Sequence, residues 1–323
     1  MTTRRAFLTS LAATALFARS SGRALAEEWP DRPVKILVPF AAGGNTDGIA
    51  RLIGQYLSTA LGQPFVVENR PGAGGVVAAS TLARATADGY TLMVAALPQI
   101  AILPVLDTVD YDPLTDFTAI SNLVSNPFCL VANPQFEPKT LKEFVSYVTA
   151  RPGQVPYASG GAGSLSHLAM VLLCDRAGLN MIHVPYKGGG PAIEDVIANQ
   201  VPVYFANLSE AIPHVGKELR AYAVSAAKRT ALLPDVPTVA ESGYSNFRAE
   251  TWNGLIAPAK TAPSVVDLIA RQAQNALKDQ TFLERLDVYG VEPVASTPAE
   301  FKRTIQDDVV QWRNTIKQAN IKL

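Results

Sequence analysis

The feature that most constrains this chain is a repeated unit: a short β-rich run, a turn of glycine and other small residues, then an amphipathic helix. Val34-Lys35-Ile36-Leu37-Val38 runs into Pro39 and a Gly43-Gly44 turn. Ile49, Leu52, Ile53, Tyr56, Leu57 and Ala60 then recur at helical spacing, with Gly62 just past the end. Phe65-Val66-Val67 is the next strand, followed by Arg70-Pro71-Gly72-Ala73-Gly74-Gly75, a helix near 75–86 and a strand from Tyr90 to Ala95. Strand, helix and strand at this pace predict parallel sheets with helices on their faces.

A proline-punctuated stretch from Pro98 to Pro127 shows little periodicity, and then the rhythm restarts. Strands are expected at Phe128–Val131, Val155–Ala158, Ile182–Val184, Val201–Ala206, Leu219–Val224 and Trp252–Ala257. Thr140 and Glu143 form a capping-box pair before Phe144, Val145 and Val148. Helices are expected over Ser164–Ala177 and Pro191–Asn199, and three more close the chain. The last is the clearest. Thr297 caps it, Pro298 takes its first position, and Phe301, Ile305, Val309, Trp312 and Ile316 form one stripe. With 323 residues the chain suits two lobes better than one. The expected division is domain 1 over 27–125 plus 216–323 and domain 2 over 126–215, two doubly wound α/β units joined by two crossovers.

The first 26 residues carry an address. Arg4 and Arg5 precede an uncharged stretch from Ala6 to Ala18, and Ala24-Leu25-Ala26 is a small-x-small site before Glu27. This is the pattern of a secretory signal peptide, cleaved near Ala26. Thr3-Arg4-Arg5-Ala6-Phe7-Leu8 matches the twin-arginine export signal, with Thr9 in place of the usual lysine; a general secretory signal with two arginines is the alternative. The apolar run is too short to span a bilayer, which takes roughly 20 residues. Removal of the leader takes away four arginines and no acid, leaving 24 basic and 28 acidic residues, a net charge of −4. That balance argues against a nucleic-acid partner, which selects for basic excess. Cys129 and Cys174 have no metal-ligand spacing. In an oxidising compartment they either pair or remain two buried thiols, and their apolar settings favour the thiols.

Three turns between strand and helix hold the candidate chemistry: Pro39 to Asp47, Arg70 to Gly75, and Ser159 to His167. Glycine lets backbone amides approach a ligand, and the helix N-terminus behind them carries about +0.5 charge. Such turns hold a carboxylate or phosphate without an arginine clamp. No nucleotide motif is present, and Lys187-Gly188-Gly189-Gly190-Pro191 reverses the order of a phosphate-binding loop, which leaves a turn and helix start. No cofactor or metal is called for, because His167, His183 and His214 lack ligand spacing. Asp47 is expected in the first turn of its helix, accepting backbone amides. Trp252 either lines a cleft or packs, and Arg70 is expected to pair with Glu68. The rival is an exported hydrolase using Ser164 and His167. Against it, Ser166 breaks the Gly-x-Ser-x-Gly elbow, so Ser164 reads better as a helix cap and His167 as a hydrogen-bond donor.

Five stretches carry a family likeness: Val38 to Asp47, Glu68 to Gly75, Val184 to Ala192, Leu233 to Gly243 and Trp252 to Pro258. In order and over the mature length, they resemble the Bug (Bordetella uptake gene) family, the TctC-type solute-binding proteins of tripartite tricarboxylate transport. The resemblance implies a type II periplasmic binding protein fold, two α/β domains closing on a small organic acid, in the periplasm. It further implies a monomer that serves a tripartite tricarboxylate-type membrane transporter or a sensor, and no catalysis. By family pattern the ligand contacts are Phe40, Ala42, Thr46 and Asp47 from one lobe, and Ser159, Gly163, Ser164, His167 and Asn207 from the other. Two departures make the cleft less polar. Ala95-Ala96-Leu97-Pro98-Gln99-Ile100 stands where the family has a polar stretch, and Ala206 precedes Asn207 where it has aspartate. An aromatic or less polar acid suits such a cleft better than citrate or aspartate.

Overall fold

The computed structural model describes residues 29–319 and 321; the expected leader over residues 1–26 lies outside the described residues. The first strands follow the β-branched runs. β1 (Val34–Val38) pairs in parallel with β2 (Phe65–Asn69) on one side and β3 (Thr91–Ala96) on the other. Val34, Ile36 and Val38 enter one apolar layer and Leu37 another, so this strand is covered on both faces, as parallel sheets are. Helices α1 (Asn45–Leu61) and α2 (Val76–Ala83) make the crossovers. α1 ends where Gly62 turns left-handed at φ 71° and donates its N–H to Ser58 O.

A second set repeats the plan. Helix α3 (Leu141–Thr149) is capped by Thr140, whose side chain accepts from Glu143 N, while the Glu143 carboxylate takes the Lys139 N–H. β5 (Pro156–Ser159), α4 (Leu165–Ala177), β6 (Ile182–Pro185), α5 (Gly189–Ile197) and β7 (Val203–Asn207) follow, with β5 parallel to both β6 and β7. The helix expected from Pro191 begins two residues earlier, at Gly189.

β4 (Phe117–Ala132) joins the two sets. The strand order is β2-β1-β3-β9-β4-β7-β5-β6, where β9 is Glu250–Pro258. From Phe117 to Pro127 β4 pairs with β9, and from Phe128 to Ala132 with β7, both antiparallel. Strand β8 (Arg220–Val224) lies on the same end of β4 as β7, with Cys129 opposite Val224. β8 follows the expected boundary at 216, and its hydrogen bonds go to the second set of strands. Ser225 stitches the hand-over: its hydroxyl accepts from Phe128 N at 2.8 Å and donates to Ala249 O at 2.5 Å. Proline supplies no N–H, so Pro127 is a natural place for the ladder to change partner.

The stretch from 98 to 127, which shows no clear periodicity, contains a π turn at Pro98–Ile102, a helical turn at Leu103–Leu106 and the first eleven residues of β4. Sequence pattern misses this half of the strand because Ser121, Asn122, Ser125 and Asn126 interrupt its apolar run, yet all four are buried. Two of these residues are tied to a distant segment. Ser121 Oγ donates to Ser296 O and Asn122 N to Ser296 Oγ, each at 2.8 Å. A short strand β10 (Glu292–Pro293) pairs beside them.

Helices α6 (Pro263–Ala276), α7 (Gln280–Leu286) and α8 (Pro298–Gln318) complete the chain. α8 carries the expected capping box of Thr297 and Glu300, and its stripe of Phe301, Ile305, Val309, Trp312 and Ile316 is buried with Trp252 and Ile256 of β9 and Leu168 and Leu172 of α4. Trp252 packs: it stands edge-on to Phe301 with ring centroids 5.0 Å apart, and its Nε1 donates to Asp308 at 2.8 Å. Cys129 and Cys174 are both free thiols. No helix among the described residues is long and apolar enough to cross a membrane.

Gly254 shows how tightly α8 meets β9, since a Cβ there would fall 2.2 Å from the Phe301 ring. Gly254→Ala is expected to destabilise the fold by about 1–3 kcal/mol through overpacking. Adding Phe301→Leu should recover part of the loss in a denaturant titration. A double variant no better than the sum of the singles would show that the ring is not the obstacle.

Candidate functional site

The first turn, from Pro39 to Gly44, leaves the carboxyl end of β1 and opens α1, whose N-cap Gly44 offers no side-chain cap. Asp47 holds it in shape. Its Oδ2 accepts from Gly43 N at 3.0 Å and from Arg51 Nε at 2.9 Å, and its Oδ1 accepts from Asn69 Nδ2 at 2.9 Å. The same Asn69 amide reaches Phe40 O at 3.0 Å. Burial pushes the Asp47 pKa up, but the bonds from Arg51, Gly43 and Asn69 outweigh it and hold the value at about 2. Asp47 therefore stays ionised and serves the loop from behind. Thr46 is buried, with its Oγ1 accepting from Asn253 Nδ2 at 2.9 Å. Ala42 is exposed and Phe40 half-buried on the turn's rim.

The second turn keeps its charges paired, as expected for Arg70. Glu68 binds Arg70 Nε and, at 2.7 Å, Lys35 Nζ, which lowers its pKa.

The third turn, from Gly160 to Ser164, leaves β5 and opens α4. Ser164 is its N-cap, accepting from His167 N at 3.3 Å and donating to Gly161 O at 2.7 Å. Ser166 Oγ lies 2.9 Å from Ser164 Oγ and accepts from Gly160 N at 2.9 Å. His167 Nδ1 accepts from Gly163 N at 3.1 Å, so the neutral ring carries its proton on Nε2, as a donor. Ser164 and His167 thus meet through a backbone amide, and the ring nitrogen nearest the turn is already occupied. That geometry gives Ser164 no base.

A residue the sequence did not single out organises this turn. His183 of β6 stacks on His167 with ring centroids 3.8 Å apart and an interplanar angle of 4°, and on Tyr157 at 5.1 Å. Its Nε2 lies 2.6 Å from Ser159 Oγ, and Ser159 is fully buried. The available signal was strand register, because β6 pairs in parallel with β5 and sets His183 opposite Tyr157. The remaining histidine, His214, pairs on the surface with Glu218 at 2.7 Å.

Asn207, at the end of β7, caps the turn Leu208–Ala211, its Oδ1 accepting from Ser209 N at 3.2 Å and Ser209 Oγ at 2.9 Å. Ser209 lies against Gly290, and the neighbouring Tyr289 O accepts from Asn45 Nδ2 at 3.2 Å. The turn at Asn207 and the turn at Gly43 therefore flank one segment. Glu210 rests on Gly189 at the start of α5, with Tyr204 Oη donating to it at 3.3 Å, and burial raises its pKa. Among the described residues no three His, Cys, Asp or Glu side chains are grouped to hold a metal. Grooves of about 420 Å³ by Lys142 and Arg151 and about 450 Å³ by Lys260 and Lys302 are lined by none of these site residues.

The profile of the tripartite tricarboxylate transporter family receptor matches residues 49–321. The chain is 34% identical over 319 residues to Protein BugT of Bordetella pertussis, covering 97% of this chain and 98% of that one. A Rhodopseudomonas palustris protein solved with adipate is 33% identical, with a TM-score of 0.72 over 91% of this chain and 99% of its own. MatC from Rhodopseudomonas palustris, solved with bound malate, is 34% identical, with a TM-score of 0.69 over 89% of this chain and 100% of its own.

Burial, and after it the neighbouring His183, depress the His167 pKa from 6.5 to about 4. A depressed value means stability present above pH 6.5 and lost as pH falls through about 4. The stability difference between wild type and His167→Gln should shrink by on the order of 2–3 kcal/mol across that window. Denaturant titrations from pH 7 to 4 read it directly, and a difference independent of pH would contradict the buried neutral imidazole.

Proposed function

The chain belongs to the tripartite tricarboxylate transporter receptor family, the Bug or TctC solute-binding proteins, and we propose that it captures a small organic carboxylate between two lobes. The relatives solved with adipate and malate support a carboxylate ligand. The lobes proposed here meet at Pro127 and Phe128 in β4 and again between β8 and β9. Residues 29–125 with the segment from β9 onward form one proposed lobe. Residues from 128 through β8 form the other. The lobes move about these two connections when the ligand binds.

The carrying observation is electrostatic. Every cation at the first two turns is already matched, Arg51 to Asp47 and Arg70 and Lys35 to Glu68. α4 begins with no acid in its first turn, so its N-terminal field is left for an anion. The proposed holders of the carboxylate are the N-terminal field of α4, at the turn that Gly163 and Ser164 shape through their own hydrogen bonds, and the Nε2–H of His167. Phe40, Ala42 and Thr46 close from the opposite lobe, with Asp47 and Ser159 shaping the turns, and Asn207 borders the site. Helix termini and neutral donors hold the anion, and no catalytic step is assigned.

Members of this family are periplasmic binding proteins. We propose the same compartment here, reached through a leader cleaved near Ala26, with a monomer passing its ligand to a tripartite tricarboxylate-type transporter or a sensor.

A thermal-shift screen of small carboxylates identifies the ligand, because an acid that binds only the folded state raises the melting temperature. Calorimetric titration of that acid into Thr46→Ala, Ser164→Ala and His167→Ala should show each weakened. Loss of one hydrogen bond to a charged group costs about 1.5–3 kcal/mol, roughly ten- to more than a hundredfold in affinity. Arg70→Ala should bind close to wild type. Loss in Arg70→Ala alone would mean an arginine clamp and a different site.

A further inference from the structure

Among the described residues Gln99 stands out because both the donor and the acceptor of its buried carboxamide lack a partner. Gln99 stands three residues beyond the end of β3, inside the π turn Pro98–Ile102, a helical form that recurs at functional sites. The residue is 0% exposed, and neither Oε1 nor Nε2 has a hydrogen-bond partner. Its backbone is anchored, since Tyr111 Oη donates to Gln99 O. A Cβ on Gly75 would lie 3.4 Å from both Cβ and Cδ of Gln99 and 2.9 Å from Pro39 Cβ. The amide is thus pressed between the roots of the turns that follow β1 and β2. That is the carboxyl end of three parallel strands, where open α/β sheets take their ligands.

A buried carboxamide with both donor and acceptor idle is a cost to the empty protein. A guest that satisfies both ends removes that cost. We propose that Gln99 is a specificity-determining residue of the cleft, and that the captured acid carries, away from its carboxylate, a neutral group with both a donor and an acceptor, best matched by a primary carboxamide. This rests on carboxylate capture as proposed above and adds the chemistry of the ligand's other end. A second carboxylate fits this end less well. At neutral pH it only accepts, so the Gln99 Oε1 stays unpaired and faces another acceptor. The cations at these turns, Arg51, Arg70 and Lys35, are each bound to Asp47 or Glu68.

Matched pairs of acids test this: succinate against succinamate, and adipate against its monoamide. Each is titrated calorimetrically into wild type, Gln99→Met, which keeps the length without polar atoms, and Gln99→Leu. Wild type should prefer the monoamide of at least one pair by about tenfold or more. Both variants should lose that preference, and the empty Gln99→Met protein should melt higher than wild type. A diacid preference in wild type, or a monoamide preference that survives in both variants, would overturn the inference. So would an empty Gln99→Met protein that melts lower while its ligand preference is unchanged. If none of the four acids binds but the carboxylate screen finds another ligand, the inference falls and capture stands. A blank screen brings down capture itself.

Discussion

Everything in this molecule is arranged about one strand. β4 runs for 16 residues, about 50 Å at the usual rise, and gives its first eleven residues to β9 and its last five to β7. Neither sheet is complete without it. A strand shared in this way sets the sheets' relative position through backbone hydrogen bonds rather than through a flexible linker. The partner changes at one point, between Pro127 and Phe128. Ser225 bridges that point to Ala249, and Arg248 binds Asp308 on α8 and Glu250 at the start of β9. Burial pushes Asp308 up to about 6 against the pull of Arg248, so this buried pair is better evidence for a fixed geometry than for stability.

The turns follow from the same arrangement. Parallel strands put their carboxyl ends on one side, and each turn there opens a helix whose first amides are unsatisfied. The chain sets its own acids beside some of these helix starts. Asp47 in the first turn of α1 takes the N–H of Gly43, just ahead of the helix, and the Glu210 carboxylate lies beside Gly189 at the start of α5. At α4 the caps are hydroxyls and a neutral imidazole, which leave the field uncancelled. The distribution of internal acids, more than the number of glycines, separates a turn that is only structural from one suited to an anion.

Much of this was legible because it is local. Thr297, Pro298 and Glu300 announce α8 within four residues, and Gly62 and Ser164 act where their neighbours say they should. The glycine turns and the internal role of Asp47 were legible for the same reason. What was hidden depends on contacts far apart in sequence. The first half of β4 looks irregular because Ser121 and Asn122 are polar, and their partner, Ser296, lies more than 170 residues away. The stack of His183 on His167 needs the register of two strands, and the idle amide of Gln99 needs the packing of Gly75 and Pro39. The place where the chain returns from the second sheet is set by the pairing of β8 with β4, which no local pattern marks.

The acid is proposed to sit at the turns opening α1 and α4. Backbone amide shifts of ¹⁵N-labelled protein, followed while the acid found by screening is titrated to saturation, test this placement most directly. The largest changes are expected on the amides of residues 43–46 and 161–167, with smaller ones near Phe128 within β4 and at the start of β9. Changes confined to the outer grooves beside Lys142 and Arg151, or beside Lys260 and Lys302, would contradict this placement.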